Sequence, residues 1–300
     1  MSNFSFSYSF LKYKGHLELS YLIRRYEICN MKHILSKWTF ICASLFLSSC
    51  DLIDYHPYDS RYDGEGNLNA KAIERIETSC AGRDSLRFAM ITDTQRWYDE
   101  TKKIVNNINN RGDIDFVIHC GDMTDFGMTR EFDWMNRELK RLQMPCVCII
   151  GNHDCLGTGG DVYRSMYGNP EFSFNAGDTH FMCLNTNAVE YDYSTDIPNF
   201  GYIKADQAAV PDSIRRTVVS MHAAPLTDQF GGNVAEVFHE KLRLYPDLQF
   251  CLCGHNHTYK FYEPLEDGIM YYRGDCAKKL TYLVFTLKKE GGYDYEMVRL

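Results

Sequence analysis

The sequence predicts an α/β domain on three observations. Short apolar runs bounded by turn residues recur through residues 86–253, helix-like stretches separate the early ones, and each run stops at polar, often glycine-containing sequence. Leu86–Thr92, Asp115–Cys120, Cys146–Ile150, His180–Leu184, Thr217–Met221 and Gln249–Cys253 read as buried strands. Asp99–Asn110 and Thr129–Leu142 read as helices, the second with Phe132, Met135, Leu139 and Leu142 on one face. Beyond residue 255 the runs Tyr259–Glu263, Ile269–Arg273, Thr281–Leu287 and Tyr293–Arg299 predict a closing antiparallel meander, with Glu266-Asp267-Gly268 and Glu290-Gly291-Gly292 as turns.

A chain of 300 residues, 45% hydrophobic and 24% charged, can bury a large core, which excludes disorder, collagen and coiled coil. Its formal charge of −8 is uneven. Residues 1–49 hold six of the basic side chains and two of the acidic ones, so the remainder is more acidic still. Such a body repels a polyanion, and binding to a nucleic-acid duplex is not expected.

Lys32 and Lys37 precede an apolar stretch, Trp38 to Ser48, that is too short to span a bilayer and has the layout of a secretory signal peptide. It ends in Leu47-Ser48-Ser49-Cys50, which resembles the lipobox of bacterial lipoproteins. That resemblance implies a signal peptide over 31–49, a lipid on Cys50 as the membrane attachment, and a place in the cell envelope. Residues 1–30 are then an upstream mis-start or an extension. Residues 50–85 are polar and turn-rich at their start and predict a tether, with the domain proper over 86–300.

Five of the predicted strands end in residues that can bind metal, where open α/β sheets place their sites. These are Thr92-Asp93-Thr94-Gln95, Gly121-Asp122-Met123-Thr124-Asp125, Gly151-Asn152-His153-Asp154, His222, and Gly254-His255-Asn256-His257. Singly each is weak, because a strand-terminal Asp is usually a turn former and a lone His usually structural. In this order they resemble the calcineurin-like metallophosphoesterase superfamily, and the strand pattern extends the likeness to residues 86–300.

The resemblance implies a four-layer α/β/β/α sandwich, two central mixed sheets flanked by helices, with a dinuclear centre at the strand ends. It assigns Asp122 as a bridge between two divalent ions (Mn, Fe, Zn or Ni), Asp93, Gln95 and His257 to one ion, and Asn152, His222 and His255 to the other. Close cations require a bridging carboxylate, and mixed N/O donors suit these metals without thiolate. The implied reaction is hydrolysis of a small phosphoester, mono- or diester, by a hydroxide shared between the ions. His153 is placed to protonate the leaving group, and Asp154 to orient or charge its ring. An envelope location speaks against intracellular cyclic nucleotides. Gln95 departs from the His usual at its position. A neutral amide oxygen is a harder ligand than imidazole, which shifts preference toward Mn²⁺ or Fe²⁺ and leaves open a catalytically weak, metal- or ligand-binding envelope protein on the same fold.

A second departure is Lys204–Val210, where Pro211 limits a cover helix to about two turns. His119 and His180 belong to no motif and read as structural, and Asp125 as either a support for a ligand or a helix cap. Of twelve cysteines, Cys29 and Cys42 leave with the leader. Six of the nine beyond Cys50 (Cys120, Cys146, Cys148, Cys183, Cys251, Cys253) fall in or at the end of strands, where a free thiol acts as a small apolar core residue. Oligomeric state and substrate are not legible.

Overall fold

The computed structural model describes residues 21, 24–27, 30–32, 35–39, 56, 58–192 and 194–300. The chain divides into two units, Met1–His56 and Pro57–Leu300. In the first, the described residues between 21 and 39 are helical and exposed. Cys29, Cys42, Cys50 and most of the predicted apolar leader lie outside the described residues. Among those described, no helix is long and apolar enough to cross a membrane.

The second unit is built on two mixed sheets. In one, the order is β11-β10-β1-β2-β3, with β1 Leu86–Ile91, β2 Phe116–His119, β3 Cys146–Cys148, β10 Thr281–Leu287 and β11 Tyr293–Arg299. The other runs β4-β5-β6-β7-β9-β8, with β4 Phe172–Ala176, β5 Thr179–Leu184, β6 Arg216–Met221, β7 Leu248–Cys253, β8 Lys260–Tyr262 and β9 Met270–Arg273. The central strands β1-β2-β3 and β5-β6-β7-β9 are parallel, and both faces of each sheet are covered, as their nearly uniform burial demands.

Aromatic side chains fill the space between the sheets. Phe88 of β1 stacks on Phe116 of β2 at 5.2 Å and meets Phe181 of β5 edge-on at 5.3 Å, while Phe250 of β7 stacks on Phe285 of β10 at 4.7 Å. Outside the first sheet lie α2 Tyr98–Arg111, α3 Thr129–Leu139 and α4 Gly159–Met166. Their Ile104, Val105, Ile108, Phe132, Met135, Val162 and Met166 are fully buried, one stripe per helix. Outside the second lie α5 Phe200–Ala209 and α6 Gly232–Leu242, which bury Ile203 and Ala235, Phe238 and Leu242. The predicted four-layer α/β/β/α sandwich is the fold observed.

Three expectations require correction. The segment read as a tether over 50–85 is, from Tyr58 onward, part of the folded body. α1, Leu68–Cys80, buries Ala72, Ile76 and Cys80 in the inter-sheet core and packs on β3 and β4, one edge strand of each sheet. Asn69 completes the cover. Its amide donates to the Cys148 carbonyl at 2.9 Å and accepts from the Cys148 N–H at 2.8 Å, so the side chain pairs with the β3 edge as another strand would.

The closing strands do not form one meander. β8–β9 joins the second sheet through β9 alongside β7, whereas β10–β11 joins the first through β10 alongside β1. Finally, α5 starts at Phe200, several residues before the predicted stretch, because Asn199 accepts a hydrogen bond from Tyr202 N at 2.9 Å and caps it. It stops at Ala209, before Pro211.

The nine described cysteines are unpaired, and seven of them are buried. Cys146 and Cys155 are half-buried. The i, i+2 pair Cys251 and Cys253 points to one face, into the layer under α5 and α6.

Candidate metal centre

The loops leaving β1, β2, β3, β6 and β7 converge at one end of the sandwich and bring the predicted ligands together. Ligand atoms of Asp93, Asp122 and His222, all buried, lie within 4.8 Å of one another. His257 Nε2 is 3.2 Å from Asp93 Oδ1. The Asn152 amide oxygen lies 3.0 Å from His222 Nε2 and 2.9 Å from His255 Nδ1. Gln95 is buried beside Asp122, its amide nitrogen 3.4 Å from Oδ2. All seven residues assigned as ligands are therefore in one cluster.

Backbone geometry explains how. Asp93, Gln95, Asp122, His255 and His257 have φ of 51°, 34°, 59°, 75° and 56°, the left-handed region that non-glycine residues seldom occupy. Each such residue costs about 1 kcal/mol or more, and each turns a side chain inward just past a strand end. Glycines make room. A Cβ on Gly254 would stand 2.6 Å from Asp93 Oδ2, and one on Gly151 would press on the Asp122 amide and carboxylate.

Hydrogen bonds fix the donor atoms. His222 Nδ1 lies 2.8 Å from the Cys120 carbonyl, which can only accept, so Nδ1 carries the proton and Nε2 faces Asp122 Oδ1 at 3.3 Å. Burial disfavours a charged His222, but the Asp122 and Asp93 carboxylates outweigh it and hold the pKa up at about 9. Asp122 is held below the usual carboxylate range, burial being outweighed by His222 and His153. His257 is raised by its bond to Asp93. The protonated imidazole thus supplies the positive charge that two buried carboxylates require. A divalent cation suits the same donors: carboxylate, amide and imidazole atoms crowd one buried point, and no thiolate is among them.

His153 opens the short helical turn His153–Cys155. Its Nδ1 lies 2.8 Å from the Asp125 carbonyl and so bears hydrogen, which fixes the ring and leaves Nε2 outside that bond. Asp154 does not serve the ring of His153, contrary to expectation. It is fully buried and accepts from Gly151 N (3.0 Å), Met123 N (3.2 Å), Thr124 N (2.9 Å) and Thr124 Oγ1 (2.8 Å), tying the Asp122 loop to the Asn152 loop. Burial and the Asp122 charge push its pKa up to about 7. Asp125 fills neither role foreseen for it. Its carboxylate pairs with Arg96 and its carbonyl holds His153, while Glu131 caps α3 by accepting from Met128 N at 3.2 Å.

His119 is structural. Gly121 N donates to its Nδ1, so Nε2 donates to Thr94 Oγ1 at 2.8 Å, and burial, aided by His222, pushes its pKa down to about 3. His180 is likewise held between Asn175 and Asp206. Sequence reasoning missed Asp228, whose Oδ1 lies 2.7 Å from His255 Nε2, and Thr92, which donates to Asp93 Oδ2 at 2.8 Å. Thr92 was in view as the residue before a ligand, but Asp228 lies in a loop with no motif.

Comparison with known proteins identifies the class. Residues 86–259 match the profile of the calcineurin-like phosphoesterase family, more than half of the chain, and the protein belongs to that family. A curated relative, a 3',5'-cyclic-nucleotide phosphodiesterase from Nostoc sp., is 23% identical over 155 residues, covering 49% of this chain and 57% of its own length. Among solved structures, a dimetal phosphatase from Danio rerio superposes with a TM-score of 0.53 at 12% identity, over 71% of this chain and 95% of that one. GAP50, described as the anchor in the inner membrane complex of Plasmodium, gives 0.55 at 13%, over 72% and 85%. These likenesses fix the fold, which hosts both a phosphatase and an anchor, so function must be argued from the site.

Proposed function

We propose that the chain is a hydrolase of phosphoesters that uses two divalent cations. The observation that carries this reading is the meeting of seven ligand-type side chains from separate strand ends, with Asp93, Asp122 and His222 close enough to share a cation. Asp122 lies between the two groups of donors. Asp93, Gln95 and His257 would hold one ion, and Asn152, His222 and His255 the other. Bound there, such ions lower the pKa of water and neutralise charge on phosphate oxygens.

The chain's own residues supply the rest. The Cys120 carbonyl presents His222 through Nε2, Asp228 fixes the ring of His255, and Thr92 and the His255 amide hold the Asp93 carboxylate. His153, locked by the Asp125 carbonyl, would deliver a proton from Nε2 to the departing alkoxide. Asp154 keeps the two loops in register and does not touch the reaction.

Lipid attachment at Cys50 would place this activity in the bacterial cell envelope. Monoesters and diesters both remain candidates, and the relative's printed activity puts a cyclic diester among the substrates to try. Assay of the purified protein with Mn²⁺, Fe²⁺, Zn²⁺ or Ni²⁺ on p-nitrophenyl phosphate, bis-p-nitrophenyl phosphate and a 3',5'-cyclic nucleotide tests the reading. Metal-dependent hydrolysis lost in Asp122→Ala supports it. Failure with every metal, or activity retained in Asp122→Ala, overturns it.

A further inference from the structure

Beside the metal cluster, His255 also lines an open groove of about 610 Å³. Lys260 of β8 and Arg273 of β9 stand directly opposite each other on paired strands, and both line this groove with Tyr262 and Asn256. Like charges in that register destabilise a sheet. Among the described residues neither has a carboxylate partner. Lys260 lies over the Tyr262 ring at 4.6 Å, and the Arg273 guanidinium is 5.9 Å from the same ring. Arg273 donates from Nε to the Thr258 carbonyl and from Nη1 to Asn256 Oδ1, both at 2.8 Å, so its fork is oriented. The one carboxylate lining the groove, Asp228, is bonded to His255 Nε2. An acidic chain therefore keeps two uncompensated cations on one aromatic ring at the mouth of the metal centre, at a cost to its own sheet.

We propose that this groove binds a second anionic group of the substrate, a phosphate or carboxylate carried on the alcohol side of the scissile ester. Lys260 and Arg273 hold that group, and the Tyr262 ring under both cations keeps them at the groove. The inference rests on the phosphoesterase reading and narrows it to esters with two negative ends.

The test uses the full chain loaded with Mn²⁺, comparing propyl phosphate with α,ω-alkanediol bisphosphates and ω-phosphooxy carboxylates of increasing length. At least one doubly anionic ester should exceed propyl phosphate about tenfold in kcat/KM, through KM, as charge-assisted hydrogen bonds allow. The better series identifies the anion. Lys260 makes no hydrogen bond that the fold needs, so Lys260→Met should erode the preference about threefold or more, and Lys260→Arg, which keeps the charge, should retain most of it. Hydrolysis of propyl phosphate with no preference for a second anion, or an equal loss on both substrates in Lys260→Met, overturns this inference alone. No hydrolysis of any ester overturns the reading beneath it and the inference together.

Discussion

Replacing Gly254 with alanine tests how the cluster is assembled. Gly254 lies outside the left-handed region, so alanine brings no backbone strain, only one methyl group. That methyl would stand 2.6 Å from Asp93 Oδ2 and closer still to Thr92 Oγ1, where ordinary contact begins at 3.4 Å. The carboxylate must retreat by roughly 0.8 Å, several times the ~0.2 Å that metal–ligand distances tolerate. Displacement on this scale should lower kcat/KM about 100-fold and metal affinity about 10- to 100-fold. Metal content after gel filtration and kinetics on p-nitrophenyl phosphate measure both, with a melting curve to show that the variant is folded. Gly231→Ala is the control, since a Cβ there meets nothing within 4 Å. A Gly254→Ala protein with wild-type metal content and turnover would refute the claim that close approach of β7 to Asp93 builds the site.

Other expectations follow from the same geometry. His153→Ala should slow turnover most for esters with poor leaving groups, and a uniform loss across a leaving-group series would count against proton donation. In metal-free protein His222 has its pKa raised to about 9, so the stability it contributes is complete below ~6.5 and lost as pH rises through 9. Melting temperatures that stay flat over that interval would contradict the pairing of His222 with Asp122. Ile76→Ala should cost about 2–5 kcal/mol, read by urea unfolding, because Ile76 is fully buried between the two sheet edges. A loss under ~1 kcal/mol would mean that α1 is dispensable. Gln95→His should tighten the first ion and shift preference toward Zn²⁺, and unchanged metal content and affinity would remove the argument made for the amide.

The strands were legible because a buried parallel strand is a short apolar run that needs no partner to be seen. The five ligand groups were legible because each begins where such a run stops. Sheet membership was not. Nothing local tells β8–β9 from β10–β11, since the choice depends on whether a strand lies alongside β7 or β1. α1 was missed although Leu68, Ala72, Ile76 and Cys80 recur every fourth residue, because the polar sequence before them suggested a tether. β4 went unseen, its alternation Phe172-Ser-Phe-Asn-Ala too short to stand out. Asp154 was misread because adjacency in sequence to His153 says nothing about direction. In the helical turn His153–Cys155 its carboxylate faces the Met123 and Thr124 amides instead. The left-handed φ of five ligands leaves no trace in composition, because Asp, Gln and His are common wherever polar loops occur.

The docking of the segment before α1 sets a length. Thr158 Oγ1 donates to the Tyr58 carbonyl at 3.0 Å, so the chain is held against the body eight residues after Cys50. Were Cys50 the lipid anchor, those eight residues would reach at most about 29 Å, against about 130 Å for a free leash running to Leu86. That contact is made at Thr158, five residues after His153 in the chain. If Cys50 were so anchored, the Tyr58 contact would confine the folded body to the shorter of these two distances from the bilayer.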